Sequence, residues 1–261
     1  MKYGLIIKIN NMDNRIYCWW MNKDEMSENR KNSLRQLKEK SECEVIFIDK
    51  KNLGDYVLPD YPLHEGFQYL SEIQQGDYLK CYFMHHYGGG YSDIKKTTGS
   101  WIEFFNKINN DSDLYCIGYG EVDPGHIARL ENCTLDPSKS KYCLDFSTND
   151  DKTKWDSSQI KKNWSLLIGN GSFICKKNTP FTTDWWNALN EKMDGYLPQL
   201  KENPSKWSRD SKGSVNPNTN EISKYPISWA VINGNIFHPL SLKYHKNILN
   251  TLHYPVTINY Q

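Results

Sequence analysis

Ser71-Glu72-Ile73-Gln74-Gln75-Gly76-Asp77-Tyr78-Leu79-Lys80, continuing through His86-Tyr87-Gly88-Gly89-Gly90-Tyr91-Ser92-Asp93-Ile94-Lys95, decides how this chain folds. It reads as a helix carrying a polar pair, a triple-glycine break and a short strand bearing a carboxylate. Positions 70, 73, 77, 80, 84 and 87 follow one another at three- and four-residue steps and so share one helix face. Leu70, Ile73, Asp77, Lys80, Met84 and Tyr87 occupy them, so Asp77 and Lys80 interrupt an otherwise apolar stripe. At i, i+3 spacing the two can pair. On a surface the pair would stabilise by only a few tenths of a kcal/mol. Residues 78–83 are apolar on several sides, however, which predicts a deeply buried helix. An inward ion pair there is costly without polar company, and the pair is read as functional.

Gly88-Gly89-Gly90 ends the helix and permits positive φ and close backbone approach. A glycine triplet alone is as readily a tight connection. Followed at once by Tyr91-Ser92-Asp93 in a strand, it is more specific. Asp93 is expected at the sheet's edge facing a crevice, where ligands of open α/β sheets bind.

Working outward, Gly4 to Ile9 and Arg15 to Trp20 read as short strands separated by the turn-like Asn10 to Asn14. Residues 25–40 read as a solvated helix with a thin apolar stripe, and Val45 to Ile48 as a second buried strand. The long central helix is expected over 65–87, later strands at Leu114 to Ile117 and Leu166 to Cys175, and a helix over Phe181 to Met193. Segments 131–163 and 197–224 look irregular, the second being the better candidate for a mobile loop over a site. Strand, helix, strand order favours a mostly parallel sheet flanked by helices.

With 261 residues the chain suits one domain, taken here as 1–261, with no need of covalent staples. Its 32 basic and 31 acidic residues balance, which argues against nucleic acid as a partner. The aromatic share of 13% raises the question whether some rings stack on bases or sugars. Seven cysteines without CxxC spacing suggest buried free thiols in a reducing compartment. No stretch reads as a signal-peptide core or an integral membrane segment, so the cytoplasm is the expected place of action. The sequons at Asn132 and Asn170 carry no weight there. No nucleophile constellation, Walker loop or GxGxxG stands out.

The order S-[DE], D-x-x-[RK], then Y-G-G-x-Y-x-D resembles the DXD-containing sugar-binding region of retaining glycosyltransferases of the capsular-polysaccharide and yeast initiating mannosyltransferase type. The clostridial glucosylating toxins resemble it more distantly. Ile16 to Trp20, Val45 to Asp49 with Asn52-Leu53, and Tyr225 to Leu240 are similar to that family's first strand, second strand and C-terminal segment. The resemblance implies a GT-A-like, Rossmann-type α/β fold and a nucleotide-diphosphate sugar donor, a UDP- or GDP-sugar. It further implies a glycan or other hydroxyl acceptor and retention of configuration. Asp77 would hold sugar hydroxyls, and Lys80, where the family prefers arginine, would contact sugar or phosphate. Asp93, with Tyr91 and Ser92 before it, would bind ribose, donor sugar or metal. Trp20, or less readily Trp19, would stack on the base.

The chain departs from the pattern at Lys95, which stands where the family has its second aspartate. A lysine cannot ligate a divalent cation and repels one nearby. Three readings stay open. Lys95 replaces the metal in neutralising the departing diphosphate; or Mn or Mg is kept through Asp93 and groups elsewhere such as His238; or the pocket is degenerate and merely binds nucleotide-sugar or glycan. His85-His86 reads as core or surface histidine, since neighbouring helical residues point about 100° apart. His238 precedes a proline after an apolar run that reads as a strand, and both it and His245 sit near the C-terminus, where enzymes of this architecture often close the donor site. Asn170 sits in a glycine-flanked turn, Trp185-Trp186 reads as core, and Asp123 and His126 could line an acceptor side.

Overall fold

The computed structural model describes residues 12–128 and 157–259. The expected strand Gly4 to Ile9, the Asn132 sequon, Cys133 and Cys143 lie outside them. The described chain is an α/β fold built on a six-stranded mixed sheet. In chain order the strands are β1 (Arg15–Trp20), β2 (Glu44–Asp49), β3 (Gly89–Ser92), β4 (Cys116–Gly120), β5 (Ile168–Cys175) and β6 (Ile248–Leu249), with the helices α1 (Glu28–Ser41), α2 (Glu72–His86), α3 (Ile102–Asn110), α4 (Ser157–Lys162), α5 (Pro180–Glu202) and α6 (Gly234–Lys243) between them. Spatial order is β2-β1-β3-β5-β4-β6. The pairs β1–β2, β1–β3 and β4–β6 are parallel; β5 is antiparallel to both its neighbours and runs against the other five strands.

The two-residue period of the strands sorts their side chains onto two layers. Ile16, Ile117 and Ile174 face α3, packing with Trp101, Phe105 and Ile108. Tyr17, Tyr91, Phe173 and Cys175 face the other way, into a larger core filled from α2, α5 and α6 by Phe83, Phe181, Trp185 and Phe237. Phe237 meets Trp185 at a centroid distance of 4.9 Å and Phe173 at 5.2 Å. Burying each such ring contributes roughly 1.5–3 kcal/mol. All five described cysteines are free thiols.

Glycine is required where β3 enters. Gly88 and Gly89 have φ of +68° and +101°. A Cβ on Gly89 would stand 2.9 Å from the Arg15 carbonyl, and one on Gly90 would stand 3.1 Å from both Ile16 and Trp101. Only bare backbone lets β3 lie against β1 here.

Four expectations need correction. The helix foreseen over 65–87 is two pieces: a 3₁₀ turn at Glu65–Tyr69, capped by the His64 ring on Gly66 N, then α2 from Glu72. Leu70 and Ser71 between them are extended, so Leu70 leaves the stripe. The last helix foreseen, Phe181 to Met193, runs on through Pro198 to Glu202, because Tyr196 and Leu200 are buried against the core and outweigh one lost hydrogen bond. Part of the irregular segment 131–163 is helical, as α4. The apolar run before His238, read as a strand, forms α6; short apolar runs do not distinguish the two by periodicity. Among the described residues no helix is long and apolar enough to cross a membrane.

Candidate functional site

Since α2 crosses back from β2 to β3, its first turns reach the carboxyl ends of the parallel strands β1 and β3. Asp93 follows the last residue of β3. That strand is central, so the crevice lies at the strand ends and not at a lateral edge of the sheet. Asp77, Lys80, Tyr91, Asp93, Lys95, Trp19 and Trp20 all line one cavity of ≈ 520 Å³. That size falls within the roughly 300–1,000 Å³ typical of small-molecule sites.

The floor is a chain of alternating charge. Lys80 Nζ lies 3.0 Å from Asp77 Oδ1 and 3.7 Å from Asp93 Oδ1, and Lys95 Nζ lies 2.9 Å from Asp93 Oδ2. Tyr91 donates its hydroxyl to Asp93 Oδ1 at 2.5 Å, and Asn233 donates Nδ2 to Asp77 Oδ1 at 2.7 Å. The Asp93 amide is held by Gly171 O at 2.7 Å. Lys80 also sits 5.1 Å above the Tyr91 ring, which in turn packs on Trp19 at 4.5 Å.

Burial and pairing drive the two carboxylates apart. Burial pushes the Asp77 carboxyl up, and Lys80 counters only part of that rise. Burial acts on Asp93 in the same sense, but there the charges of Lys80 and Lys95 with the Tyr91 and Lys95 hydrogen bonds win, and the carboxyl is held at about 2. Burial works against the Lys80 ammonium as well, yet Asp77 and Asp93 outweigh it and hold Lys80 above the usual lysine range. Asp93 is therefore the stronger acid of the pair, and Lys80 a fixed cation between them.

Trp19 and Trp20 differ in role. Trp19 is buried against Phe83 and Tyr91, whereas Trp20 is half-buried, its indole N–H tied to Asp24 O at 2.7 Å and its ring under Arg30 at 5.7 Å. Of the two, Trp20 is the more exposed ring.

Ser92 and His238 do not line this cavity. Ser92 is buried, donating to Asp93 O at 2.8 Å and meeting Ser172 Oγ at 3.2 Å. His238 is buried in α6, where Nδ1 accepts from Ala128 N at 3.1 Å and Nε2 lies 3.3 Å from Glu121 Oε1. Asn170 belongs to β5 and not to a turn. His85 and His86 pack on Trp186, and Trp185 is fully buried. Asp123 caps a 3₁₀ turn and pairs with His126 at 3.4 Å.

The divalent cation that the resemblance implies does not fit this donor set. Both Asp93 oxygens are engaged by ammonium groups or the Tyr91 hydroxyl. Among the described residues no group of three or more His, Cys, Asp or Glu side chains is placed to hold a metal.

Sequence reasoning missed Asn233, Arg30, Ser208, Arg209 and Trp229. For Ser208 and Arg209 one signal existed, the polar Pro- and Asn-rich segment 197–224 picked out as a loop over a site. Asn233 lies 156 residues from its partner, and no local pattern ties it to Asp77. No family model matches this chain, and no curated protein matches it.

Proposed function

We propose that the chain is a glycosyltransferase, moving a sugar from a nucleotide-diphosphate sugar to a glycan or other hydroxyl acceptor with retention of configuration. One observation carries this: Asp77, Lys80, Asp93 and Lys95 form the floor of a cavity at the carboxyl ends of parallel strands, with the half-buried Trp20 in its wall. The chemistry matches the parts of such a donor. Sugar hydroxyls donate to carboxylates, and a base stacks on an indole. The GT-A-like organisation belongs to the same proposal; a sheet with one strand reversed among five parallel ones is compatible with it.

In this reading Trp20 takes the base, and Asp77 and Asp93 orient sugar hydroxyls. Lys80 keeps both carboxylates in place. Lys95 stands beside the leaving group. The acceptor oxygen bonds to the anomeric carbon on the face from which the carbon–phosphate-oxygen bond breaks, and its proton passes to the departing diphosphate oxygen. The protein supplies positioning and neutralisation of developing charge, with no covalent intermediate. Divalent metal is assigned no step.

A second reading, a pocket that binds nucleotide-sugar without turnover, is favoured by the saturation of Asp93 by Tyr91, Lys80 and Lys95. One experiment separates the two: thermal shift against a panel of UDP- and GDP-sugars, each with EDTA and with Mn²⁺, followed by assay of nucleoside diphosphate release. A shift in EDTA with one donor, scaling with its concentration, together with release, supports the transferase. A shift without release over a range of hydroxyl acceptors favours the binding protein. No shift with any donor overturns both.

A further inference from the structure

The carboxylates and cations around the cavity do not all cancel locally. Asp77 and Asp93 are taken up by Lys80 and Lys95, and Glu72 by Lys50 at 2.7 Å. Arg30 donates to Ile94 O at 3.1 Å as it lies over Trp20. Arg209 differs. Among the described residues its guanidinium has no carboxylate and no hydrogen-bond acceptor, only the face of Trp229 at 5.7 Å.

The backbone on either side of it is firmly held. Ser208 O accepts from Ile73 N at 3.2 Å in the first turn of α2, and Ser208 Oγ accepts from Asn22 Nδ2 at 3.2 Å. Asp210 is buried and accepts from Lys206 N at 2.9 Å and from Ser223 Oγ at 2.5 Å. An unpaired guanidinium is thus carried into the cavity wall by a loop pinned on both sides, next to an indole that is 47% exposed. Lys80 and Lys95 are poor candidates for first contact with an anion, since among the described residues Lys80 is the only cation paired with buried Asp77, and Lys95 is the nearer of the two ammonium groups on Asp93.

We propose that Arg209 is the anion contact of this site. Its planar fork engages phosphate oxygens of a nucleoside diphosphate while Trp229 holds the guanidinium plane. The nucleoside part rests on the reading of the cavity as a nucleotide-sugar site; the anion contact does not. Arg209 then governs affinity, and Lys95, released from Asp93 only as charge develops on the leaving group, governs rate.

The test is calorimetric titration of the full chain and of Arg209→Gln and Arg209→Lys with UDP, GDP, uridine, guanosine and inorganic pyrophosphate. Expected is a loss of roughly 10- to 100-fold for one diphosphate and for pyrophosphate in Arg209→Gln, partial recovery in Arg209→Lys, and nucleoside binding unchanged. Arg209→Gln binding pyrophosphate and diphosphate as tightly as the parent overturns the proposal. Arg209-dependent pyrophosphate binding with no preference for any nucleotide keeps the anion contact and removes the nucleotide-sugar reading. Failure of the parent chain to bind pyrophosphate or either diphosphate removes both.

Discussion

Asn233 Nδ2 donates to Asp77 Oδ1 at 2.7 Å, so the residue preceding α6 reaches across the core to the carboxylate on α2. Both side chains are buried. Replacing Asn233 by Leu keeps the branched shape but leaves that carboxylate oxygen with Lys80 as its only partner among the described residues. The expected cost is about 1–3 kcal/mol, read by urea denaturation at neutral pH. A change too small to resolve would mean that the bond adds nothing net over hydration.

Lys95→Ala removes the cation next to Asp93 Oδ2. If Lys95 acts on the leaving diphosphate, kcat should fall roughly 100-fold or more while donor Kd changes little. Steady-state kinetics with an independent binding measurement would show it. Equal losses in both quantities would assign Lys95 to ground-state binding, and an unchanged rate would end its catalytic role.

The Asp93 carboxyl is held at about 2 against an ordinary 3.8. A folded-state value depressed in this way stabilises fully above the unfolded value and loses that contribution as pH falls through the folded one. The shift corresponds to roughly 2 kcal/mol. The difference in unfolding free energy between the parent and Asp93→Asn should therefore stay level from about pH 7 to 5 and shrink between about pH 4 and 2. Denaturant titrations at stepped pH measure it. A difference that stays level down to the acid end would show that the pairing of Asp93 is not linked to folding.

Gly171 holds Asp93 through its carbonyl and leaves room for three polar groups above its Cα. A Cβ there would stand 3.1 Å from Tyr119 Oη, 3.2 Å from Asp93 Oδ2 and 3.6 Å from Lys95 Nζ. Asp93 is clamped and has little freedom to retreat. Gly171→Ala should weaken donor binding about tenfold or more, with a stability loss within the usual 1–3 kcal/mol of overpacking. Calorimetry beside a melting curve tests this, and donor affinity equal to that of the parent would show that the Asp93 carboxylate can shift without loss.

The helical spacing of Asp77 and Lys80 and the glycine run before Asp93 made half of the site legible, because i, i+3 pairing and positive φ are local properties. The chain also announced α1, β1, β2 and β5 through short-range patterning. It misled at Leu70 and before His238. In the first case, Leu70 and Ser71 are extended, and Ser208 O takes up the first-turn amide of Ile73, so α2 starts only at Glu72. In the second, burial of Ile236, Phe237 and Leu240 in the common core favoured α6 over a strand.

Lys95 shows where local reading stops. Its identity at a position where a carboxylate was expected is plain from the residues, and so is its inability to ligate a metal. Its partner is not plain. Lys95 closes on Asp93, Lys80 bridges Asp77 and Asp93, and Arg209 is left with an indole and no carboxylate. The sequence alone determined which charges the site contains and that a buried helix carries two of them, because composition and helical period do not depend on distant contacts. Which charges cancel and which stay available was decided by the fold. Lys80 and Lys95 meet carboxylates of their own stretch, residues 77–95, whereas Arg209 arrives from a segment more than a hundred residues further along, and pairing depends on distances of a few ångströms that only the tertiary structure sets.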